Sequence, residues 1–271
     1  MAEEDSGARL RSLYDRQGGV TEVFGTKVAN YAVSRPDYPP ALFEWLRTQC
    51  AIGAASTIVD VGAGTGLLTQ GLLDLGAAVV AVEPAAAMRA AADALLGRRT
   101  GYRSAAGRAE ALPLGPASCD LVTAAQAFHW FDIDAARSEC LRVLRPLGQV
   151  ALIWNDRVLA DPLHVALDEV FAAFGGARRG ALLAHEDRSL APRFYGRAPP
   201  QIREWPHAHR LDEAGLLALV FSRSYMPDAD SPAGREAAAA VRAVYAQHAD
   251  RGPGGALTVR YTTVAFLGRP T

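Results

Sequence analysis

The stretch Asp60-Val61-Gly62-Ala63-Gly64-Thr65-Gly66 decides the fold. A short β-branched run, Ser56-Thr57-Ile58-Val59, precedes it and a leucine-rich segment follows, so it reads as a turn from a strand into a helix. Glycines let the backbone turn sharply and let a ligand approach with no Cβ in the way. The helix behind them offers N–H groups without intrahelical partners and the positive end of its dipole. Such a loop suits a pyrophosphate or an amino-acid carboxylate. Spacing separates those two ligands. A dinucleotide fingerprint runs G-x-G-x-x-G, whereas here the third glycine comes two positions after Gly64, at Gly66, and position 67 is Leu.

Working outward, strand-like and helix-like segments alternate between about 40 and 155. Strands are expected over 56–61, 78–82, a weak 101–105, 119–124 and 149–154, with helices over 65–75, 85–96 and 134–144. The strands are continuous apolar runs, as buried parallel strands should be, and the alternation predicts an α/β fold with helices on both faces of the sheet. Further on, 162–174 has helical spacing and 175–206 is rich in Gly, Arg and Pro, which predicts a loop-rich insertion. Helices are expected over 212–221, capped by Asp212, and over 232–248. The alternating β-branched stretch 257–266 predicts an edge strand, paired antiparallel with 201–205. No internal repeat is visible.

Composition narrows the class. Of 271 residues, 50% are apolar, and 28 Lys plus Arg balance 29 Asp plus Glu. No net field attracts nucleic acid or an anionic membrane. No apolar run approaches the length of about 20 residues that a membrane span needs, and the polar start does not resemble a signal peptide. Cys50, Cys119 and Cys140 lack metal-ligand spacing and read as reduced thiols. A cytoplasmic protein is expected.

Glu83 and Pro84 end the second strand, and Glu83 lies about 20 residues beyond the loop, where a carboxylate can accept from ribose hydroxyls. The bland reading is an exposed strand-end acid. Next comes Gly107-Arg108-Ala109-Glu110-Ala111-Leu112-Pro113-Leu114. It resembles the adenine-contacting segment of small-molecule methyltransferases, in which the backbone and the Glu110 side chain would read an adenine rim while Leu112 covers a ring face.

With these motifs in order, the chain resembles the class I S-adenosylmethionine-dependent methyltransferases. The branch is one with Gln126-Ala127-Phe128-His129-Trp130-Phe131-Asp132 after the fourth strand, and with Tyr31 and Arg35-Pro36-Asp37-Tyr38-Pro39 near the start. The specific likeness spans about 24–155. It implies a Rossmann-like, mostly parallel seven-stranded sheet with an antiparallel C-terminal pair. It also implies an N-terminal lid over 1–39, and a methyltransferase domain over 40–271 with a substrate-cap insertion at about 160–210. The resemblance implies that S-adenosylmethionine is held by Asp60, Gly62, Ala63, Gly64, Thr65, Gly66, Glu83, Pro84, Ala109, Glu110, Gln126 and Ala127. It places Tyr31 and Arg35 near the methionine end. A guanidinium at Arg35 also suits a carboxylate, although a surface ion pair or cap contact explains it as well.

The implied reaction is methyl transfer to a small molecule, with the acceptor atom open among oxygen, nitrogen and carbon. His129 follows the fourth strand's carboxyl end, where open α/β sheets bind ligands, and is the candidate general base. The rival reading makes His-Trp-Phe a packing unit, with Trp130 and Phe131 as pocket wall or core. Asn155 and Asp156 are candidates to touch substrate or cap the next helix. His185, Glu186, Asp187, His207 and His209 lack paired spacing, and no metal is expected. Leu10, Leu13, Tyr14, Val20 and Phe24 suit the underside of a lid. Arg178, Arg179, Arg188, Arg193 and Arg197 would favour an acidic substrate or merely a solvated surface. Two other function classes remain: a related enzyme that keeps the cofactor but catalyses a cyclisation or rearrangement, and an NAD-dependent oxidoreductase. Leu67 and the absence of a Tyr-x-x-x-Lys pair weaken the latter, since the only lysine is Lys27.

Overall fold

The protein is described by a computed structural model that covers residues 34–185, 188–250 and 255–271. Helix α1 (Pro40–Gln49) leads into β1 (Thr57–Val61), α2 (Leu67–Asp74), β2 (Ala78–Val82), α3 (Ala86–Leu96), β3 (Tyr102–Ala105) and β4 (Cys119–Ala125). A 3-10 turn (Phe128–Trp130), α4 (Ile133–Val143) and β5 (Leu144–Arg157) follow. The rest comprises α5 (Pro162–Phe174), α6 (Gly176–His185), α7 (Ala191–Tyr195), β6 (Gln201–Leu211), α8 (Glu213–Phe221), α9 (Pro232–His248) and β7 (Leu257–Gly268). Among the described residues the sheet has seven strands in the order β3-β2-β1-β4-β5-β7-β6, mostly parallel with an antiparallel C-terminal pair. The parallel register puts Val59 beside Val80 and Val122, and Asp60 beside Ala81 and Thr123.

Side chains alternate across the strands, so both faces bury an apolar layer. Val59, Val61, Val80, Val82, Val122, Val150 and Leu152 share one core with Phe128, Phe194 and Tyr195. Ile58, Val79, Leu121, Ala151 and Ile153 share the other with Leu42, Leu46, Leu68 and Leu72. Cys50, Cys119 and Cys140 are free thiols, each pushed up to about 12 by burial.

Three expectations are corrected. The 257–266 strand is not at the sheet edge: β7 lies between β5 and β6, and β6 is the edge strand. The segment 175–206 is not loop-rich: it folds into α6, a 3-10 turn, α7 and the start of β6. α7 drives Phe194 and Tyr195 into the core, where the Tyr195 hydroxyl lies 2.8 Å from the Phe266 carbonyl oxygen and 3.1 Å from that of Val150. The fifth strand begins earlier than expected, at Leu144. Its pairing with β4 jumps from Cys119↔Leu144 to Leu121↔Gln149, so residues 145–148 bulge out of the ladder.

The chain divides into two compact units. One holds the described residues of 37–155, 187–205 and 263–271, including the glycine loop; the second holds those before 37 and those of 156–186 and 206–262. In the second, α5 packs on α6 and α9, and α8 on α9. No helix among the described residues is long and apolar enough to cross a membrane.

Candidate cofactor site

The site is built at the carboxyl ends of β1, β2 and β4. Where β1 ends, Gly62, Gly64 and Gly66 adopt φ of +68°, +57° and +88°. Gly62 donates to the Val82 carbonyl at 2.8 Å, bringing the loop against the end of β2. A Cβ at Gly62 would stand 2.7 Å from the Ala127 Cβ, so the loop and the segment after β4 touch backbone to side chain. Gly66 caps α2 in a left-handed conformation with no side-chain bond to the helix's first N–H groups. The N-terminus of α2 is therefore left to a ligand or solvent, with its dipole's positive end toward it.

Glu83 closes the loop from the other side. It is buried, and its carboxylate accepts from Gly64 N–H at 3.0 Å and from Ala85 N–H at 2.9 Å. Burial raises its pKa, while those two bonds and the charge of Arg89 act in the opposite direction. Each carboxylate oxygen has two lone pairs, so both remain competent to accept from a pair of ribose hydroxyls. The buried Thr65 hydroxyl has no hydrogen-bond partner inside the loop. An orphaned buried hydroxyl is costly unless a ligand or water meets it. Open glycine backbone, an uncapped helix start, a strand-end carboxylate and this hydroxyl fit the amino-acid and ribose parts of S-adenosylmethionine.

The Asp60 side chain, 1% exposed, accepts from the Thr69 hydroxyl at 2.6 Å and the Thr123 hydroxyl at 2.9 Å. It thereby pins α2 and β4 to β1 beneath the loop. Burial lifts its carboxyl to about 6; the two hydroxyl bonds oppose the rise and the charge of Glu83 adds to it.

In the segment expected to border adenine, Ala109 is buried and Glu110 accepts from Asp132 N–H at 2.8 Å. That bond ties the segment to the start of α4. Leu112 is a core residue in the cluster with Val82 and Phe128. Sequence reasoning missed Glu139 and Arg142. Glu139 accepts from Leu112 N–H at 2.9 Å, and Arg142 donates to the carbonyls of Leu114 at 2.8 Å and Leu112 at 3.1 Å. Their i, i+3 spacing on α4 was the available signal.

Gln126 is left-handed at φ +54°, an uncommon conformation for a residue with a side chain. Its backbone N–H donates to Ile153 at 2.9 Å and its amide to the Asn155 carbonyl at 3.1 Å. Asn155 does not cap the next helix: it donates to the Asp37 carbonyl at 3.0 Å and accepts from Thr263 at 2.6 Å, while Asp161 caps α5. His129 lies half-buried in the 3-10 turn, its ring centroid 4.9 Å from that of Trp130. Phe131 meets Phe128 edge-on, as core. Arg35 belongs to the second unit, where it donates to the Ser222 carbonyl at 3.3 Å. Tyr31, Glu186, Asp187 and the apolar lid residues lie outside the described residues. Among the described residues, no three or more His, Cys, Asp and Glu gather where a metal ion could be held.

The doubly covered sheet and the glycine loop define a class I S-adenosylmethionine-dependent methyltransferase, and the chain belongs to that family. Residues 59–152 match the family model of a methyltransferase domain. An uncharacterized methyltransferase of Mycobacterium tuberculosis is 34% identical over 241 residues, covering 89% of this chain and 93% of its own. Another from Schizosaccharomyces pombe is 39% identical over 139 residues, covering 51% and 54%. The solved structure of a type II methyltransferase candidate from Anaeromyxobacter dehalogenans is 27% identical with TM-score 0.60, covering 87% of this chain and 97% of that one.

Proposed function

We propose that this methyltransferase binds S-adenosylmethionine through the glycine loop and Glu83 and methylates a small molecule. The observation that carries the reading is the loop itself, with the Glu83 carboxylate closing it and the buried Thr65 hydroxyl unpartnered within it. The cofactor, when bound, supplies a methyl group made electrophilic by its sulfonium and leaves as S-adenosylhomocysteine.

The residues of this chain hold and orient. Glu83 accepts from the ribose, the N-terminus of α2 and the loop N–H groups face the amino-acid carboxylate, and Ala109, Glu110, Gln126 and Ala127 border the adenosine. Rate then comes from holding acceptor and methyl group in line and excluding water. His129 removes the acceptor's proton where that group is protonated at neutral pH, and is idle otherwise. Balanced charge, with 28 basic and 29 acidic side chains, supports a small molecule over a nucleic acid.

The test is incubation of the full chain with S-adenosylmethionine and, in separate arms, a metabolite extract, a protein extract and RNA. Mass spectrometry then follows S-adenosylhomocysteine and methylated products. Methylated small molecules support the reading. Methylated protein or RNA moves the acceptor class, and a rearranged, unmethylated product formed without release of S-adenosylhomocysteine identifies a non-methylating relative.

A further inference from the structure

A cavity of about 350 Å³ opens along α5, within the size range of small-ligand pockets. Leu159, His164, Val165, Asp168, Glu169 and Ala172 line it, all within the second unit. Val165, Asp168, Glu169 and Ala172 recur at i, i+3, i+4 and i+7, so the helical period brings them to one face. Leu163, Leu167, Val170 and Phe171 of the same helix are buried instead. Leu159 and Val165 stay 67% and 49% exposed, which gives the cavity an apolar wall open to solvent.

The polar groups of this lining all accept. His164, 1% exposed, has Nε2 2.6 Å from the Arg260 carbonyl oxygen. A carbonyl only accepts, so Nε2 carries the proton and Nδ1 of the neutral ring carries a lone pair. Burial holds the imidazole below its ordinary pKa, which favours that neutral form. The ring stands edge-on to Tyr261, with centroids 5.6 Å apart. Among the described residues the buried Nδ1 has no hydrogen-bond partner. An orphaned buried acceptor is costly unless water or a ligand meets it. Asp168 already accepts from Arg157 at 3.1 Å and from Arg179 at 2.8 Å to each oxygen. Glu169, exposed beside it, has no ion partner among the described residues.

We propose that this cavity binds a small organic amine in its protonated form, which offers N–H donors to His164 Nδ1 and the acidic pair and lays its apolar body against Leu159, Val165 and Ala172. An ammonium group brings up to three donors and a charge opposite to that of Glu169. A carboxylate brings only acceptors, to a lining that already has them, and meets like charge. The inference stands apart from methyl transfer, since every residue of this lining belongs to the unit that does not hold the glycine loop.

Titration of the full, isotope-labelled chain with benzylamine, followed by NMR, tests this, with benzyl alcohol and benzoate in parallel arms. Expected is saturable benzylamine binding that moves the His164 Nδ1 resonance, with the alcohol severalfold weaker and benzoate not bound. Glu169→Gln is expected to weaken benzylamine severalfold. Val165→Arg, which puts a guanidinium one turn before Glu169, is expected to abolish binding. Both positions are exposed, so both variants should fold, and melting temperature checks that they do. Binding that survives both substitutions overturns the proposal. So does bound benzylamine that leaves Nδ1 unmoved, or benzoate or benzyl alcohol that binds as tightly. Absence of benzylamine binding to folded wild-type protein overturns it as well.

Discussion

The Glu83 carboxylate accepts the backbone N–H of Gly64 at 3.0 Å, which makes the end of β2 and the glycine loop one piece of structure. Its other oxygen holds Ala85 N–H at 2.9 Å, so the residue fixes both the loop and the approach to α3. Removing it leaves two backbone donors to find new acceptors, at about 1–3 kcal/mol for each that stays buried. Glu83→Ala is expected to lower S-adenosylhomocysteine affinity about tenfold or more and to reduce the melting temperature. Glu83→Gln, which keeps one carbonyl acceptor, is expected to fall between. Isothermal titration of both variants checks the order.

Contact between Gly62 and Ala127 predicts a partial rescue. A Cβ at position 62 meets the Ala127 Cβ at 2.7 Å, in a backbone at φ +68°. Gly62→Ala is expected to destabilise by about 2 kcal/mol or more, summing overpacking and left-handed strain. Adding Ala127→Gly removes the clash but not the strain. The double variant should therefore unfold at a urea midpoint between wild type and the single variant.

Much of this site was legible in the sequence because its determinants are local. Gly62, Gly64 and Gly66 announce a backbone that side chains disfavour, and Glu83 sits at the end of an apolar run of strand length. What escaped depends on distant partners. Asp60 reads as part of the loop, and only the fold shows its oxygens accepting from Thr69 and Thr123. β5 hid its start because Arg145-Pro146-Leu147-Gly148 has turn chemistry and does bulge, with Leu147 92% exposed. α7 has five residues, too few to show a helical period, and only its buried Phe194 and Tyr195 explain it. Arg157 and Arg223, which both meet the Phe171 ring, come from segments far apart in the chain, which no local pattern could have joined.

Asp60 makes stability depend on acid. Its folded pKa of about 6 lies above the ordinary value of about 3.9. The folded state therefore holds an extra proton between those values. That stabilisation is fully present below about pH 4 and is lost as pH rises through about 6. Asp60→Asn abolishes this contribution, so the melting temperature of wild type relative to the variant should fall between pH 4 and pH 7. Parallel curves would show that Asp60 does not titrate in that window.

Arg142 and Glu139 hold the segment expected to border adenine. Arg142→Ala removes donors to two carbonyls, and its partial exposure keeps the effect to about 1 kcal/mol. The expected signature is local: faster amide hydrogen exchange across residues 108–114, severalfold weaker S-adenosylhomocysteine binding, and little change in melting temperature.

His129 divides catalysis from packing. His129→Ala is expected to lower turnover more than S-adenosylhomocysteine affinity. Unchanged turnover would assign His129 to the wall it shares with Trp130.

The most direct test of the account is calorimetric titration of the purified protein with S-adenosylhomocysteine, with NADH in a parallel cell. Saturable one-to-one binding of S-adenosylhomocysteine, lost in Gly64→Val and absent for NADH, is the predicted result. Binding of NADH alone, or S-adenosylhomocysteine affinity unchanged by Gly64→Val, would contradict the assignment of the loop.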